Sequence, residues 1–134
     1  MSSLFTRIIN GEIPCYKLGE NEHCFSFLDI QPLVKGHALV IPKQEIDYIF
    51  DVPDELLAEM MCFSKRMAIA IREIVPCVKV GMSVIGLEVP HAHIHLVPLN
   101  HIHELNFSNP RCLFSKDEFE SLASEIAAAF QQLK

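Results

Sequence analysis

Several absences narrow what this chain does. Its five cysteines, Cys15, Cys24, Cys62, Cys77 and Cys112, contain no Cys-x-x-Cys pair. An odd number without metal-type spacing reads as reduced thiols, which places the protein in the cytoplasm. No basic run is present, and eleven Lys and Arg face seventeen Asp and Glu, for a formal net charge of -6. That balance excludes nucleic acid as an expected partner, because a phosphate backbone is met with clustered positive charge. No apolar stretch approaches the ~18 residues that span a bilayer, and the N-terminus carries no basic-then-apolar leader, so neither a membrane partner nor secretion is expected. No internal repeat, low-complexity tract or linker interrupts the 134 residues. One domain, 1–134, is the expectation.

Half of the residues are hydrophobic, enough to build a core without disulfides or metal. The stretch LFTRIINGE, Leu4 to Glu12, predicts a short helix ended near Gly11, with Pro14 beyond it. His23 to Ile30 predicts a strand with Phe25, Phe27 and Asp29 on one face. Gly36 to Pro42 predicts a buried strand with His37, Leu39 and Ile41 on one face and Ala38 and Val40 on the other. A long helix is expected after Asp51-Val52-Pro53, with Asp51 as N-cap. Its core stripe would run Leu57, Met60, Met61, Ser64, Met67, Ala68 and Ile71, and Pro76 would end it. Val78 to Val84 and Val89 to Leu99 alternate as two further strands. Ser115-Lys116-Asp117-Glu118 reads as a capping box that opens a C-terminal helix, about 115–133, with Phe119, Leu122, Ile126, Phe130 and Leu133 on its apolar face. Strands in the middle flanked by helices give an α+β fold with an antiparallel sheet.

The chemistry concentrates in His91-Ala-His93-Ile-His95-Leu-Val. On a strand, residues two apart share a face. Three imidazoles would then form a row, neighbours about 6.5–7 Å apart, while Ala92, Ile94 and Leu96 face the core. Imidazole ionises near neutrality and serves as base, acid or nucleophile. One ring can attack a phosphorus centre while its neighbours donate to the oxygens that develop charge. Two other readings fit the same spacing: a zinc site that adds His37 to the triad, and a solvated polar face. His101 and His103 continue the alternate spacing and read as surface residues.

The run His91 to Val97 resembles the His-φ-His-φ-His-φ-φ signature (φ apolar) of the histidine-triad, or HIT, superfamily. Three further blocks agree in order and spacing: LFTRIINGEIP at Leu4 to Pro14, FLDIQP at Phe27 to Pro32, and GHALVIPK at Gly36 to Lys43. The likeness covers about residues 4 to 100 and points to the Hint-like branch. It implies a five-stranded antiparallel sheet with a long central helix and a short helix at the N-terminus. It also implies a homodimer and a metal-free hydrolase or nucleotidyl transferase that forms a nucleotidyl-histidine and needs no cofactor. Residue by residue, His93 would be the nucleophile, His95 would bond the phosphate, His91 would orient His93, and His37 would place its neighbours. Asp29 would bind ribose hydroxyls; from the residues alone, an Asx turn before Pro32 explains it equally well. Phe5, Ile8, Ile13 and Phe27 would surround the base of a purine nucleotide such as AMP or its phosphoramidate. A dinucleoside polyphosphate hydrolase and a noncatalytic purine nucleotide-binding protein are the alternatives.

The chain also departs from the family. Many relatives carry a glycine-rich loop with an Asn and a Gly-Gln pair before the triad. Here that loop is Ile85-Gly86-Leu87-Glu88, where Leu87 replaces the Gln and no Asn occurs from Val78 to Val89. Glu88 is the residue expected to compensate, by bonding a triad histidine or the leaving group. Ser3 and Thr6 stand where some relatives place zinc-binding cysteines.

Overall fold

The structure, a computed structural model, describes residues 2–133. Five antiparallel strands form one sheet in the order β1-β2-β3-β5-β4. They are β1 (Lys17–Glu20), β2 (Cys24–Leu28), β3 (Ala38–Pro42), β4 (Lys79–Ser83) and β5 (Ile94–Leu99). Three helices accompany them: α1 (Leu4–Ile9), α2 (Asp54–Ile74) and α3 (Lys116–Gln131). The α+β expectation and its antiparallel sheet match this arrangement, and no helix among the described residues is long and apolar enough to cross a membrane.

Period-two alternation divides the central strands between two faces. Cys24, Leu28, Ala38, Val40, Ile94 and Leu96 point to one side and pack with Met60, Phe63, Met67 and Ile71 of α2 and with Phe119, Leu122 and Ile126 of α3. Phe25, Phe27, Leu39 and Ile41 point to the other side, where Phe5, Ile8 and Ile9 of α1 and a few loop residues meet them. The first face is closed by two long helices. The second is covered by a six-residue helix and holds the site.

The local signals explain most element ends. Ser3 caps α1 by accepting a hydrogen bond from the Thr6 N–H, and Gly11 follows the helix at φ +79°, a left-handed position suited to glycine. Ser115 and Glu118 form the expected reciprocal capping box at the start of α3. Gly19 lets α3 lie close on β1: a Cβ there would sit 2.6 Å from the Phe130 ring.

Three expectations are corrected. Asp51 does not cap α2. It ends a 3-10 turn over Ile49–Asp51, and Pro53 occupies the N-cap without a side-chain bond. The buried stripe of α2 is Met60, Phe63, Ser64, Met67, Ala70 and Ile71, whereas Met61 is exposed. The true stripe keeps the i, i+3, i+4, i+7 rule, and Met61 lies about 100° away from Met60. The predicted strand from Val89 begins only at Ile94, for a reason that shapes the site.

Candidate functional site

Pro90 has no N–H to give a ladder, and the residues after it bond elsewhere. The His91 N–H donates to Val89 O at 2.8 Å, and the Ala92 N–H to Ile46 O at 2.7 Å. The segment joins the sheet only from Ile94 on, pairing with β3 at Val40–Ile94, Leu39–His95 and Ala38–Leu96 and with β4 from Ser83–His95 to Lys79–Leu99. His95 is therefore the one triad residue inside the strand, and the evenly spaced row on a single strand is not what forms. The His93 and His95 ring centroids approach to 5.0 Å, edge to face. The apolar partners behave as expected, since Ala92, Ile94 and Leu96 are buried in the helix-covered core.

The four histidines are buried: His37 and His91 at 0% exposure, His93 at 7% and His95 at 8%. A solvated polar face does not survive that observation. Each ring is instead held by hydrogen bonds whose directions fix its tautomer. A carbonyl only accepts, so the 2.8 Å contact between His93 Nδ1 and His91 O is an N–H donation. The Nε2 of His93 is then the nitrogen with a free lone pair. His37 accepts the Leu33 N–H on Nδ1 at 3.0 Å, which puts its proton on Nε2. That proton is donated to His95 Nδ1 at 3.0 Å, so His95 in turn presents an N–H from Nε2. His91 donates from Nε2 to Pro42 O at 2.8 Å and accepts the Ser3 hydroxyl on Nδ1 at 2.7 Å.

The electrostatics agree with neutral rings. Burial, with the His95 ring and Arg111 nearby, pushes His37 down to about 3. Burial, with His93 and Arg111, lowers His95 to about 4. Burial also lowers His91, partly opposed by its bond to Pro42 O. Near neutral pH these three imidazoles act as oriented dipoles rather than as cations.

A cavity of about 460 Å³ opens on this side of the sheet, within the usual size of a small-molecule site. Phe5, Ile8, Ile13, Phe27, Asp29, Glu88, His93 and His95 all line it. Its apolar end is built by α1 and β2, and Phe5 meets the His93 ring at 5.0 Å. Asp29 does what its Asx reading requires and also faces the cavity: Oδ1 accepts the Gln31 N–H at 2.8 Å. Burial raises its carboxyl. His37 and His91 stand behind the lining residues, His37 against His95 and Asp29 and His91 against His93 and Phe5. Glu88 is exposed at the rim and makes no hydrogen bond to a triad histidine among the described residues. His101 and His103 are exposed and stack on each other away from the cavity.

The metal reading keeps only two of its four imidazoles, His37 and His95, in this geometry. Asp29, His37 and His95 are the described residues whose donor atoms come within 4.8 Å of one another. The two imidazoles there share a proton at 3.0 Å, which a cation would have to displace. Both nitrogens of His91 are engaged, and Ser3 and Thr6 bind the Glu45 carboxylate, each at 2.7 Å. Those two bonds hold Glu45 down to about 2.

Sequence reasoning missed Glu45, Phe107 and Arg111. Phe107 packs edge-on against His95 at 4.7 Å, and Arg111 lines the cavity beside it. Both lie in the irregular segment between β5 and α3, where no periodicity marks them.

Known proteins resemble this chain in sequence and in fold. Adenosine 5'-monophosphoramidase HNT1 of Saccharomyces cerevisiae is 41% identical over 96 residues, 71% of this chain and 61% of that protein. Adenosine 5'-monophosphoramidase hnt1 of Schizosaccharomyces pombe is 35% identical over 130 residues, 96% of this chain and 98% of that protein. The chain thus spans about three-fifths of the first relative and nearly all of the second. The crystal structure of a zinc-bound histidine triad family protein from Mycobacterium smegmatis is similar with a TM-score of 0.83 at 30% identity, over 98% of this chain and 95% of that one. The family model for the HIT domain matches residues 10–102, and with that match the chain belongs to the HIT family.

Proposed function

We propose that the protein is a nucleotide hydrolase or nucleotidyl transferase of the purine nucleoside phosphoramidase type, working through a covalent nucleotidyl-His93. The observation that carries this reading is the 2.8 Å bond from His93 Nδ1–H to the His91 carbonyl, which makes Nε2 the lone-pair nitrogen of the neutral ring on a cavity-lining residue. In the first step Nε2 forms a bond to phosphorus, the bond from phosphorus to the leaving nitrogen breaks, and the leaving amine takes up one proton from solvent at the open mouth of the cavity. In the second step water forms a P–O bond and gives up one proton to solvent, the N–P bond breaks, and Nε2 is regenerated with its lone pair. Two in-line displacements share one nucleophile.

The other residues act around that exchange. His95 donates its Nε2–H to a nonbridging oxygen, and His37 keeps that proton in place by supplying its own to Nδ1. His91 holds His93 through its backbone, and is itself held by Ser3 and Pro42. Asp29 receives ribose hydroxyls, while Phe5, Ile8, Ile13 and Phe27 enclose the base. Glu88, a carboxylate of the cavity lining, pairs with a departing amine. The reading takes the chemistry to be metal-free. The phosphoramidase names of the two yeast relatives support the substrate class.

A homodimer and a cytoplasmic site belong to the same reading. β4 is a sheet edge with its outer side unpaired, and Met82 on it and Val78 and Val84 beside it are exposed, the kind of edge that a second copy covers. All five cysteines are free. Static light scattering should give a mass near 30 kDa, twice the 15.2 kDa of one chain.

The decisive test of function is turnover of adenosine 5'-phosphoramidate by wild-type protein and by His93→Ala, with AMP binding measured alongside. Turnover by wild type and its loss in the variant, with AMP still bound, is the expected outcome. Tight AMP binding without turnover of the phosphoramidate or of a diadenosine polyphosphate would assign the protein to the noncatalytic alternative, which the missing Asn and Gln of the loop before the triad favour. Stoichiometric zinc bound by His37 and His95 in metal analysis would overturn the mechanism.

A further inference from the structure

The neutral imidazoles leave the site short of positive charge. Every nucleotide phosphate is an anion, yet His95 and His37 are held well below neutral pH as bases. The loop Ile85-Gly86-Leu87-Glu88 brings apolar side chains and a carboxylate to the cavity, and no amide. Asp29 and Glu88 make the lining more negative. Among the described residues, Arg111 is the one Lys or Arg that lines this cavity.

Its placement is built rather than incidental. Arg111 Nη1 donates to Gln31 O at 2.7 Å, and the guanidinium lies over the Phe107 ring at 5.5 Å. The Phe107 ring in turn packs on His95 at 4.7 Å. The next residue ties the backbone down, since the Cys112 N–H donates to Pro32 O at 2.8 Å. No carboxylate lies within ion-pair distance of Arg111 among the described residues, although Asp29 lines the same cavity. A half-buried guanidinium has five donors in a planar fork, suited to two oxygens of one phosphate. One donor is spent on Gln31, and the charge is met only by the field of Asp29, without a direct ion pair among the described residues. Through Phe107 the guanidinium is linked to His95, the ring that donates to the phosphate in the reading above.

We propose that Arg111 is the anion-binding residue of this site: it pairs with phosphate oxygens of the bound nucleotide and makes the site choose nucleotides over nucleosides by charge. The proposal rests on the nucleotide reading above and adds to it a residue outside the matched HIT domain, 10–102. The chain thereby supplies from its C-terminal segment a contact that the altered loop before the triad does not.

Calorimetric titration of wild type, Arg111→Lys, Arg111→Gln and Arg111→Met with adenosine, AMP and ADP tests it. Arg111→Gln keeps a donor for the Gln31 carbonyl, so it separates charge from anchoring. AMP affinity should fall about tenfold or more in the Gln and Met variants, as loss of a charge-assisted pair implies. Adenosine affinity should stay within about twofold, and Lys should recover part of the loss. A larger loss for ADP than for AMP supports the proposal with the charge at the leaving-group end; an equal loss supports it with the charge on the first phosphate. Unchanged AMP affinity overturns it, as does a parallel fall for adenosine and AMP. Should wild type bind neither adenosine nor AMP, the nucleotide reading has failed by itself. Pyrophosphate titration then decides the anion site: binding lost in Arg111→Gln supports it, and no difference overturns it.

Discussion

Strands β2, β3 and β5 send alternate side chains to opposite faces of one sheet, and the two sets differ in kind. On the helix-covered face, Leu28, Val40, Ile94 and Leu96 meet α2 and α3 in an apolar core. On the other face, positions of the same strands carry Phe27, Leu39 and His95, with His37 and His93 just before β3 and β5. The residues that hold the fold and those that hold the chemistry are therefore neighbours in sequence, separated by one peptide. A substitution at position 93 or 95 should read out in activity, and one at 94 or 96 in stability. A reactive site can hold four buried imidazoles here because the opposite face supplies the stability and each ring finds hydrogen-bond partners.

That contrast can be broken most severely at His93. His93→Ala should lower turnover by at least about a thousandfold, while the thermal midpoint shifts little, because the ring faces a cavity. Unfolding of the variant at assay temperature would show the two faces to be less separable than described. Next comes the other face. Phe63→Ala should cost about 3–5 kcal/mol by chemical denaturation, with kcat of the remaining folded protein within a fewfold of wild type.

Acidification acts on both properties through His37 and His95. Their folded values, about 3 and about 4, lie below the ordinary value of 6.5. The folded protein thus binds fewer protons than the unfolded chain between those values. The contribution is fully present above pH 6.5 and is lost as pH falls towards 4. Unfolding free energy should drop by about 1–3 kcal/mol between pH 7 and pH 5, and the drop should shrink in His95→Asn. An equal slope in the variant would contradict the neutral buried ring.

Ser3→Ala should cost about 1 kcal/mol, by leaving His91 Nδ1 without its donor, and should reduce turnover less than tenfold. The smallest effect is expected at the exposed pair. His101→Ala and His103→Ala should leave turnover within twofold and stability within about 0.5 kcal/mol.

Much of the fold was legible because its signals are local. The capping box at Ser115, the end of α1 at Gly11 and the two-faced strand from Ala38 to Pro42 each rest on a few adjacent residues. β1 was not legible. Lys-Leu-Gly-Glu is short, contains glycine, and pairs through a register shift between Lys17 and Gly19, so it shows no alternation to detect. The phase of α2 was misjudged where Met60 and Met61 are equally apolar, and only packing decides which is buried. At the site, the histidine spacing announced a shared environment but not its geometry. Pro90 and the bonds at His91 and Ala92 keep two of the three rings off the strand. The partners that set the tautomers, Leu33, Pro42 and the His91 carbonyl, are backbone groups that no side-chain pattern announces. Phe107 and Arg111 arrive by the path of an irregular segment, which tertiary contacts alone determine.

The account turns on a free Nε2 at His93, and a rapid-quench experiment addresses it most directly. Wild-type protein is mixed with adenosine 5'-phosphoramidate, stopped in denaturant at alkaline pH to preserve a phosphorus–nitrogen bond, and its peptides are mapped by mass. One nucleotidyl group on the peptide's His93 is the predicted result; the same group on His91, His95 or His37, or a full turnover burst with no adduct at any histidine, would contradict it.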